Sequence, residues 1–326
     1  MFEAEELFVI DNAAWSLAST GNPVTVIDYS PDGALVAVSN TPGEVSIVSS
    51  YDGTVKRKLS QTRTQYPVTG CKFHPSEDNL ILYACRDGFI FTFNILRGEV
   101  TSMTRHLGSN LLTMSLDSFG EAFAIACADG SIRLYDIENM QRTKALIKMT
   151  GRSISSQSVT IYSLMFHPED SNIVLSAAGN DRVLIWDVRS GTSERCISGP
   201  HIRGNGLDMY DGQIMTASCR EKKAIEIWDF GTARKIRDIN FDSQIAGGDC
   251  TITAAKIARN GLDMFAGGGG VNLTQAFDYS KGSFIGQSCQ SQSPVVSLGA
   301  SPFGASFVNG YENGEVSCYM VRVRQP

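Results

Sequence analysis

A chain of 326 residues with 42% hydrophobic and 19% charged residues carries enough apolar surface for a core, and its length allows one large domain or two ordinary ones. A formal net charge of −6 has the wrong sign for gripping nucleic acid through phosphate neutralisation. The longest apolar stretch, near Leu80 to Leu96, is broken by Arg86, Asp87 and Gly88 before it reaches the roughly 20 residues of a membrane helix. The N-terminal MFEAEELF is acidic and no apolar signal region follows it, so a cytosolic or nucleocytoplasmic address is expected.

Taken in order, the chain repeats itself. Glu6 to Asp11, ELFVID, is an apolar strand with no partner nearby. From Val24 the phrase VTVIDYSPDGALVAVSN begins, and it returns as VTGCKFHPSEDNLILYACRDG from Val68 and as LLTMSLDSFGEAFAIACADG from Leu111. The first interval is about 44 residues, inside the 40 to 45 of a four-stranded blade repeat. Further copies start at Ile161, Gly206, Thr251 and Val295, which makes seven.

Each copy has the same grammar. A first strand ends in a turn such as Ser30-Pro31-Asp32-Gly33, His74-Pro75, His167-Pro168 or Ser301-Pro302, where proline presets the φ of the second position of a type I turn. A second strand of small and branched residues follows and closes on a turn such as Arg86-Asp87-Gly88, Ala128-Asp129-Gly130 or Glu312-Asn313-Gly314, whose glycine tolerates positive φ. In the fourth copy these elements form one hairpin, Val174 to Arg189, turning at Gly179, Asn180 and Asp181. Its third strand sends Val183 and Ile185 one way and Leu184 and Trp186 the other. A strand that is apolar on both faces is built to lie between two sheets. A fourth, more polar strand, such as Thr54 to Leu59 or Lys235 to Ile239, completes each sheet.

With Trp186-Asp187 and Trp228-Asp229 as literal signatures and Tyr135-Asp136 as a variant, the chain resembles the WD-repeat family of β-propellers over nearly its whole length. Two copies keep Trp-Asp, and His106 and His201 stand as counterparts of the Gly-His pair that usually precedes a first strand. The resemblance implies an all-β fold: residues 1–326 as a single seven-bladed propeller with blades starting near 24, 68, 111, 161, 206, 251 and 295. The seventh copy supplies three strands, so Glu6 to Asp11 is expected to be the fourth strand of the last blade and to close the ring, hiding edges that would otherwise stay bare. The interval from Asn139 to Val159 is expected to hold the fourth strand of blade 3 and then a surface loop.

Signatures of catalysis are missing. The run Gly267 to Gly270 lacks the lysine and the following helix of a phosphate loop and is read as a tight turn inside blade 6. No Gly-x-Ser-x-Gly elbow occurs. Cys71 and His74 would make half a metal site without a second half, and the eight cysteines contain no CxxC pair and suit small buried thiols. Neither enzyme activity nor a cofactor is expected, and an acid or base cluster converging in the channel is the feature that would argue otherwise.

Function is then expected on the surface, as a non-catalytic scaffold for other proteins that is monomeric by itself, without nucleic acid and without a membrane span. One face gathers the turns between second and third strands with the connections into first strands. Arg86, Arg182, Arg220 and Lys222 lie in those turns, and Arg203, with Arg63 and Arg152, lies in the connections. Arginine forks match carboxylate and phosphate oxygens, so this face is expected to take an acidic or phosphorylated peptide. An alternative starts from Trp186-Asp187-Val188-Arg189, which resembles the WDxR box of propellers that carry substrates to cullin-RING ubiquitin ligases. That resemblance implies roles for Asp181, Trp186, Asp187 and Arg189, with Arg189 as the exposed contact to the adaptor. WD-repeat proteins also serve nuclear, cytoskeletal and ciliary assemblies.

Overall fold

The seven phrases fold into seven antiparallel sheets. A computed structural model of the protein describes residues 8–10, 12–59, 65–146, 160–220, 222–241 and 246–323, with backbone alone for 8–10 and 322–323. Counting blades along the chain, the first strands are Val24–Tyr29, Val68–Phe73, Leu111–Leu116, Ile161–His167, Leu207–Tyr210, Cys250–Ile257 and Val295–Ala300. Blades 1 to 6 each place four consecutive strands in chain order across the sheet; blade 4 is Ile161–His167, Asp170–Ala178, Arg182–Asp187 and Thr192–Ser198. Each first strand touches the first strand of the next blade, and that of blade 7 touches that of blade 1. The ring therefore closes on seven.

Packing between sheets explains the two-faced apolar strands. In blade 4, Leu184 and Trp186 pack with Ile132 and Leu134 of blade 3, while Val183 and Ile185 pack with Met209, Ile214 and Trp228 of blade 5. The same holds all round: among the described residues the buried apolar side chains fall into seven clusters, one at each junction between neighbouring blades. A buried valine or isoleucine contributes roughly 1.5–3 kcal/mol, and a lone blade would forfeit that on both faces. Burial thus depends on the neighbours being present.

The chain ends meet in blade 7. Its strands Val295–Ala300, Ser306–Tyr311 and Val316–Val323 are completed from the N-terminus in two pieces. Phe8–Ile10 runs antiparallel to Val321–Val323, and Trp15–Leu17 runs antiparallel to Val316–Cys318. Of the expected closing strand, Phe8–Ile10 is the described part and pairs as expected, while Glu6 and Asp11 lie outside the described residues. The second piece, Trp15–Leu17, extends that closure beyond the expected strand. Trp15 is buried among Val24, Val48, Val316 and Cys318 at the junction of blades 7 and 1, and its Nε1 donates to the Ser50 carbonyl at 2.8 Å. Gly53 lies under the indole, where a Cβ would stand 2.9 Å from the ring.

One expectation is corrected. Gly267 to Gly270 is not a tight turn but the end of the second strand of blade 6, Asp263–Gly270, paired with Cys250–Ile257 on one side and Thr274–Asp278 on the other. The glycines are there for space: a Cβ on Gly268 would lie 1.9 Å from the Thr251 carbonyl oxygen, and one on Gly267 would lie 2.2 Å from Thr274 Oγ1. In blade 3 the fourth strand is Arg142–Leu146; the expected loop after it lies outside the described residues, as do Arg63 and Arg152.

Candidate functional site

The aspartate or asparagine that follows the third strand's last aromatic caps a turn. Asp187 Oδ1 accepts the N–H groups of Arg189 at 2.6 Å and Ser190 at 3.2 Å, and Asn94, Asp136, Asp229 and Asp278 do the same for Arg97, Asn139, Thr232 and Lys281. Such Asx turns satisfy backbone donors where the ladder ends. The Arg189 guanidinium on Asp187 and the Thr232 hydroxyl on Asp229 hold both carboxyls below the ordinary range. The tryptophans are core residues: Trp186 Nε1 donates to Ser176 Oγ at 2.8 Å and Trp228 Nε1 to Thr216 Oγ1 at 2.9 Å.

The upper face carries the second-to-third-strand turns. Arg182 is exposed as the first residue of the third strand of blade 4, Lys222 is exposed on the turn of blade 5, and Arg203 is exposed on the connection between those blades. Arg86 is also exposed, but on blade 2, so the structure separates it from the other three. A polar chain stiffens the blade 4–5 sector. Arg203 Nε donates to His201 Nε2 at 2.9 Å, which leaves His201 Nδ1 to donate to Asp181 Oδ1 at 2.5 Å. Asp181 holds φ 59 at the tip of its turn.

Arg220 belongs to a different network. It donates to Glu226 Oε2 at 3.0 Å, to Ser218 Oγ at 3.1 Å and to the Gly199 carbonyl at 3.1 Å. Glu226, 5% exposed, also meets Lys235 Nζ at 3.2 Å, and Asp238 joins Lys235 at 2.7 Å and Lys223 at 3.5 Å. A buried carboxylate requires such partners, so Arg220 is committed to the blade. Among the described residues Arg86, Arg182, Arg203 and Lys222 form no ion pair with a carboxylate. Sequence reasoning could not separate them from Arg220, because Glu226 sits in an apolar strand phrase.

The four residues of the WDxR phrase do not converge. Trp186 is buried, and Asp181 lies at the upper end of the third strand of blade 4. Arg189 lies at the lower end with its side chain 74% exposed and its Nη2 3.1 Å from Asp187 Oδ2. That places one arginine, fixed by its neighbour, on the lower face.

Acid and base groups do face the channel. A cavity of about 730 Å³ is lined by the first strands, and Asp28, Lys72, Ser115, Asp208 and Lys256 face it. Their arrangement is structural. Asp28 accepts Lys72 Nζ at 2.5 Å and the Phe73 N–H at 3.0 Å; Ser115 Oγ accepts the Phe166 N–H at 3.0 Å; Asp208 accepts the Ile257 N–H at 2.9 Å and lies 3.9 Å from Lys256 Nζ. All three acceptors occupy one repeat position and take an N–H from the inner edge of the next blade, tying blade 1 to 2, 3 to 4 and 5 to 6. Burial pulls the Lys256 ammonium below its ordinary range, with Asp208 opposing. His74 is likewise a tie: its Nδ1 accepts the Glu77 N–H at 3.0 Å, so Nε2 donates to the Gly120 carbonyl at 3.0 Å. Among the described residues no cluster of side chains has the make-up of a metal site, and no helix is long and apolar enough to cross a membrane.

No protein-family model matches the chain. It is similar to zebrafish (Danio rerio) GATOR2 complex protein WDR24, 24% identical over 159 residues covering 47% of this chain and 19% of that protein. It is also similar to the potato (Solanum tuberosum) guanine nucleotide-binding protein subunit beta, 20% identical over 257 residues covering 75% of this chain and 65% of that protein. A third relative is the mouse (Mus musculus) U3 small nucleolar RNA-associated protein 4 homolog, 23% identical over 243 residues covering 66% and 32%. The chain thus spans about a fifth of the length of the first relative it matches. The seven closed sheets make the chain a seven-bladed β-propeller, its tryptophans are bonded to a serine or threonine on the neighbouring strand, and the relatives it matches are WD-repeat proteins.

Proposed function

We propose that the protein is a non-catalytic scaffold whose upper face receives an acidic or phosphorylated peptide from a partner protein. The observation that carries this reading is the sector of Arg182, Arg203 and Lys222 at the adjoining ends of blades 4 and 5, exposed and, among the described residues, without a carboxylate partner, while the nearby Arg220 is consumed by Glu226. The relatives are named as a complex protein and as a subunit, which supports a place in a multiprotein assembly. The structural partners of the channel aspartates support the absence of chemistry there. A cytoplasmic address is supported by eight free thiols, five of them buried, a usage that suits a reducing compartment.

The test is capture of partners from lysate with and without phosphatase treatment, comparing wild type with Arg182→Glu/Arg203→Glu/Lys222→Glu. Arg220 is left alone, since a glutamate there would face Glu226 and unsettle the blade. The expected result is loss of the captured set in the triple variant; capture identical to wild type contradicts the reading. The second reading, docking of a ligase adaptor through Arg189, is supported by that side chain's exposure and its fixed contact with Asp187. Co-purification of the adaptor, abolished by Arg189→Ala, is its expected result.

A further inference from the structure

The lower face, made of the turns that follow first and third strands, holds much of the large apolar surface left in solvent. Phe119, Leu262 and Phe303 are 59%, 65% and 65% exposed in the turns after first strands, and Tyr51 is 90% exposed in a turn after a third strand. Turn geometry puts them there. In Ser301-Pro302-Phe303-Gly304 the Gly304 N–H closes on the Ser301 carbonyl at 3.1 Å with φ 73 at the glycine, and the side chain before that glycine is turned away from the sheet. Nothing in the turn itself requires a phenylalanine.

Three of these side chains stand on hydrogen-bonded, adjoining turns. Asn260 Oδ1 accepts the Leu262 N–H at 3.0 Å, and Asn260 Nδ2 donates to the Phe303 carbonyl at 2.9 Å. The Phe303 ring lies over Gly33, 3.2 Å from where a Cβ would be, and the Gly33 carbonyl accepts the hydroxyl of Ser50, the neighbour of Tyr51, at 2.6 Å. Leu262, Phe303 and Tyr51 thus form an apolar arc over blades 6, 7 and 1. Phe119 on blade 3 and Leu96, 71% exposed after the third strand of blade 2, stand apart from that arc, and the first-strand turns of blades 2 to 5 carry charge. Glu77, Asp78, Glu121, Glu169 and Asp211 are exposed on the corresponding turns of blades 2 to 5, and among the described residues none of them forms an ion pair. The channel mouth opens between the two arcs, with Pro75, Pro168 and Pro302 in its lining.

We infer that this lower face docks a basic amphipathic segment of a partner protein, laid across the channel mouth with its apolar side chains on the blade 6–7–1 arc and its lysines or arginines toward the blade 2–5 carboxylates. The carboxylates around the channel mouth select this occupant: the exposed cations of this face, Arg97, Arg189, Arg234 and Lys281, follow third strands, and Arg259 stands on blade 6, so the first-strand turns of blades 2 to 5 remain acidic. A second copy of the chain on the same patch would set carboxylate against carboxylate, and an anionic surface would be repelled. This surface is distinct from the upper face and does not depend on what binds there.

Fluorescence anisotropy with two labelled 14-residue peptides of one amphipathic pattern, one of leucine and lysine and one of leucine and glutamate, tests the inference. The lysine peptide is expected to bind at least tenfold more tightly than the glutamate peptide. Leu262→Ser/Phe303→Ser and, separately, Glu77→Lys/Glu169→Lys should each weaken it at least tenfold with unchanged melting temperature. The charge-matched upper-face variant Glu44→Lys/Glu312→Lys should bind as wild type. Equal weakening by the upper-face variant, no effect of the serine variant, or a dimer in sedimentation that dissociates on Phe303→Ser would each overturn it.

Discussion

Trp15 offers the sharpest energetic test of how the ring is closed. It is 8% exposed, sits where blade 7 meets blade 1, and donates to the Ser50 carbonyl. Trp15→Ala removes a buried aromatic whose loss costs about 3–5 kcal/mol, and Trp15→Phe keeps much of the apolar contact while leaving the Ser50 carbonyl without its donor, about 1 kcal/mol. At about 2.1 cal/mol/K per residue, 326 residues give an unfolding entropy of about 0.7 kcal/mol/K, so each kcal/mol moves Tm by about 1.5 °C. Differential scanning calorimetry should therefore show a fall of about 4–7 °C for the alanine variant and about 1–2 °C for the phenylalanine variant. Deletion of residues 1–12, which removes the strand Phe8–Ile10 but spares Trp15, should also lower Tm by several degrees. An alanine variant melting within about 1 °C of wild type would refute the reasoning, because a tryptophan that closes nothing costs little to remove.

Two further predictions concern blade 6. Asp263 and Asp278 are directly opposed across neighbouring strands, and burial, with Asp278 adding to it, raises the Asp263 carboxyl to about 6. A carboxyl raised on folding binds more protons in the native than in the unfolded state, so it costs stability as pH climbs from about 4 through 6. Asp263→Asn should thus raise stability by about 1 kcal/mol at pH 7.5, after allowance for solvent screening, and change little at pH 4.5; chemical denaturation at both pH values checks this, and equal effects would contradict it. Gly268→Ala should destabilise by about 3 kcal/mol through its clash with the Thr251 carbonyl, whereas Gly212→Ala, with nothing near its Cβ, should cost about 1 kcal/mol. Equal losses would return the glycine run to the status of a turn.

Periodicity carried the architecture. Seven first strands begin at or beside the predicted positions, because an inner strand between a connection and a proline or glycine turn leaves a repeated local pattern. The two-faced burial of Val183, Leu184, Ile185 and Trp186 was equally legible, since alternation is a property of the strand itself. What escaped were relations between distant residues. Trp15 follows a short break after Phe8–Ile10, and nothing local says that both pieces pair with one C-terminal strand. Gly267 to Gly270 has the composition of a turn, and the close approach of Thr251 and Thr274 is visible only in three dimensions. Arg220 looked as available as Arg182 until Glu226 appeared beside it. Phe119 and Phe303 did leave a signal: an aromatic between serine or proline and glycine in a four-residue turn has no way back to the core.

Covalent trapping tests ring closure most directly. Ser16 and Ser317 are register partners on strands from opposite ends of the chain, with their hydroxyls 3.0 Å apart. Under mild oxidation Ser16→Cys/Ser317→Cys should form an intramolecular disulfide, seen as a cross-linked peptide pair by mass spectrometry and as a higher Tm that reverts on reduction. Two thiols that stay reduced in the folded double variant, or that pair only between molecules, would contradict a ring closed by the N-terminal strand on the seventh blade.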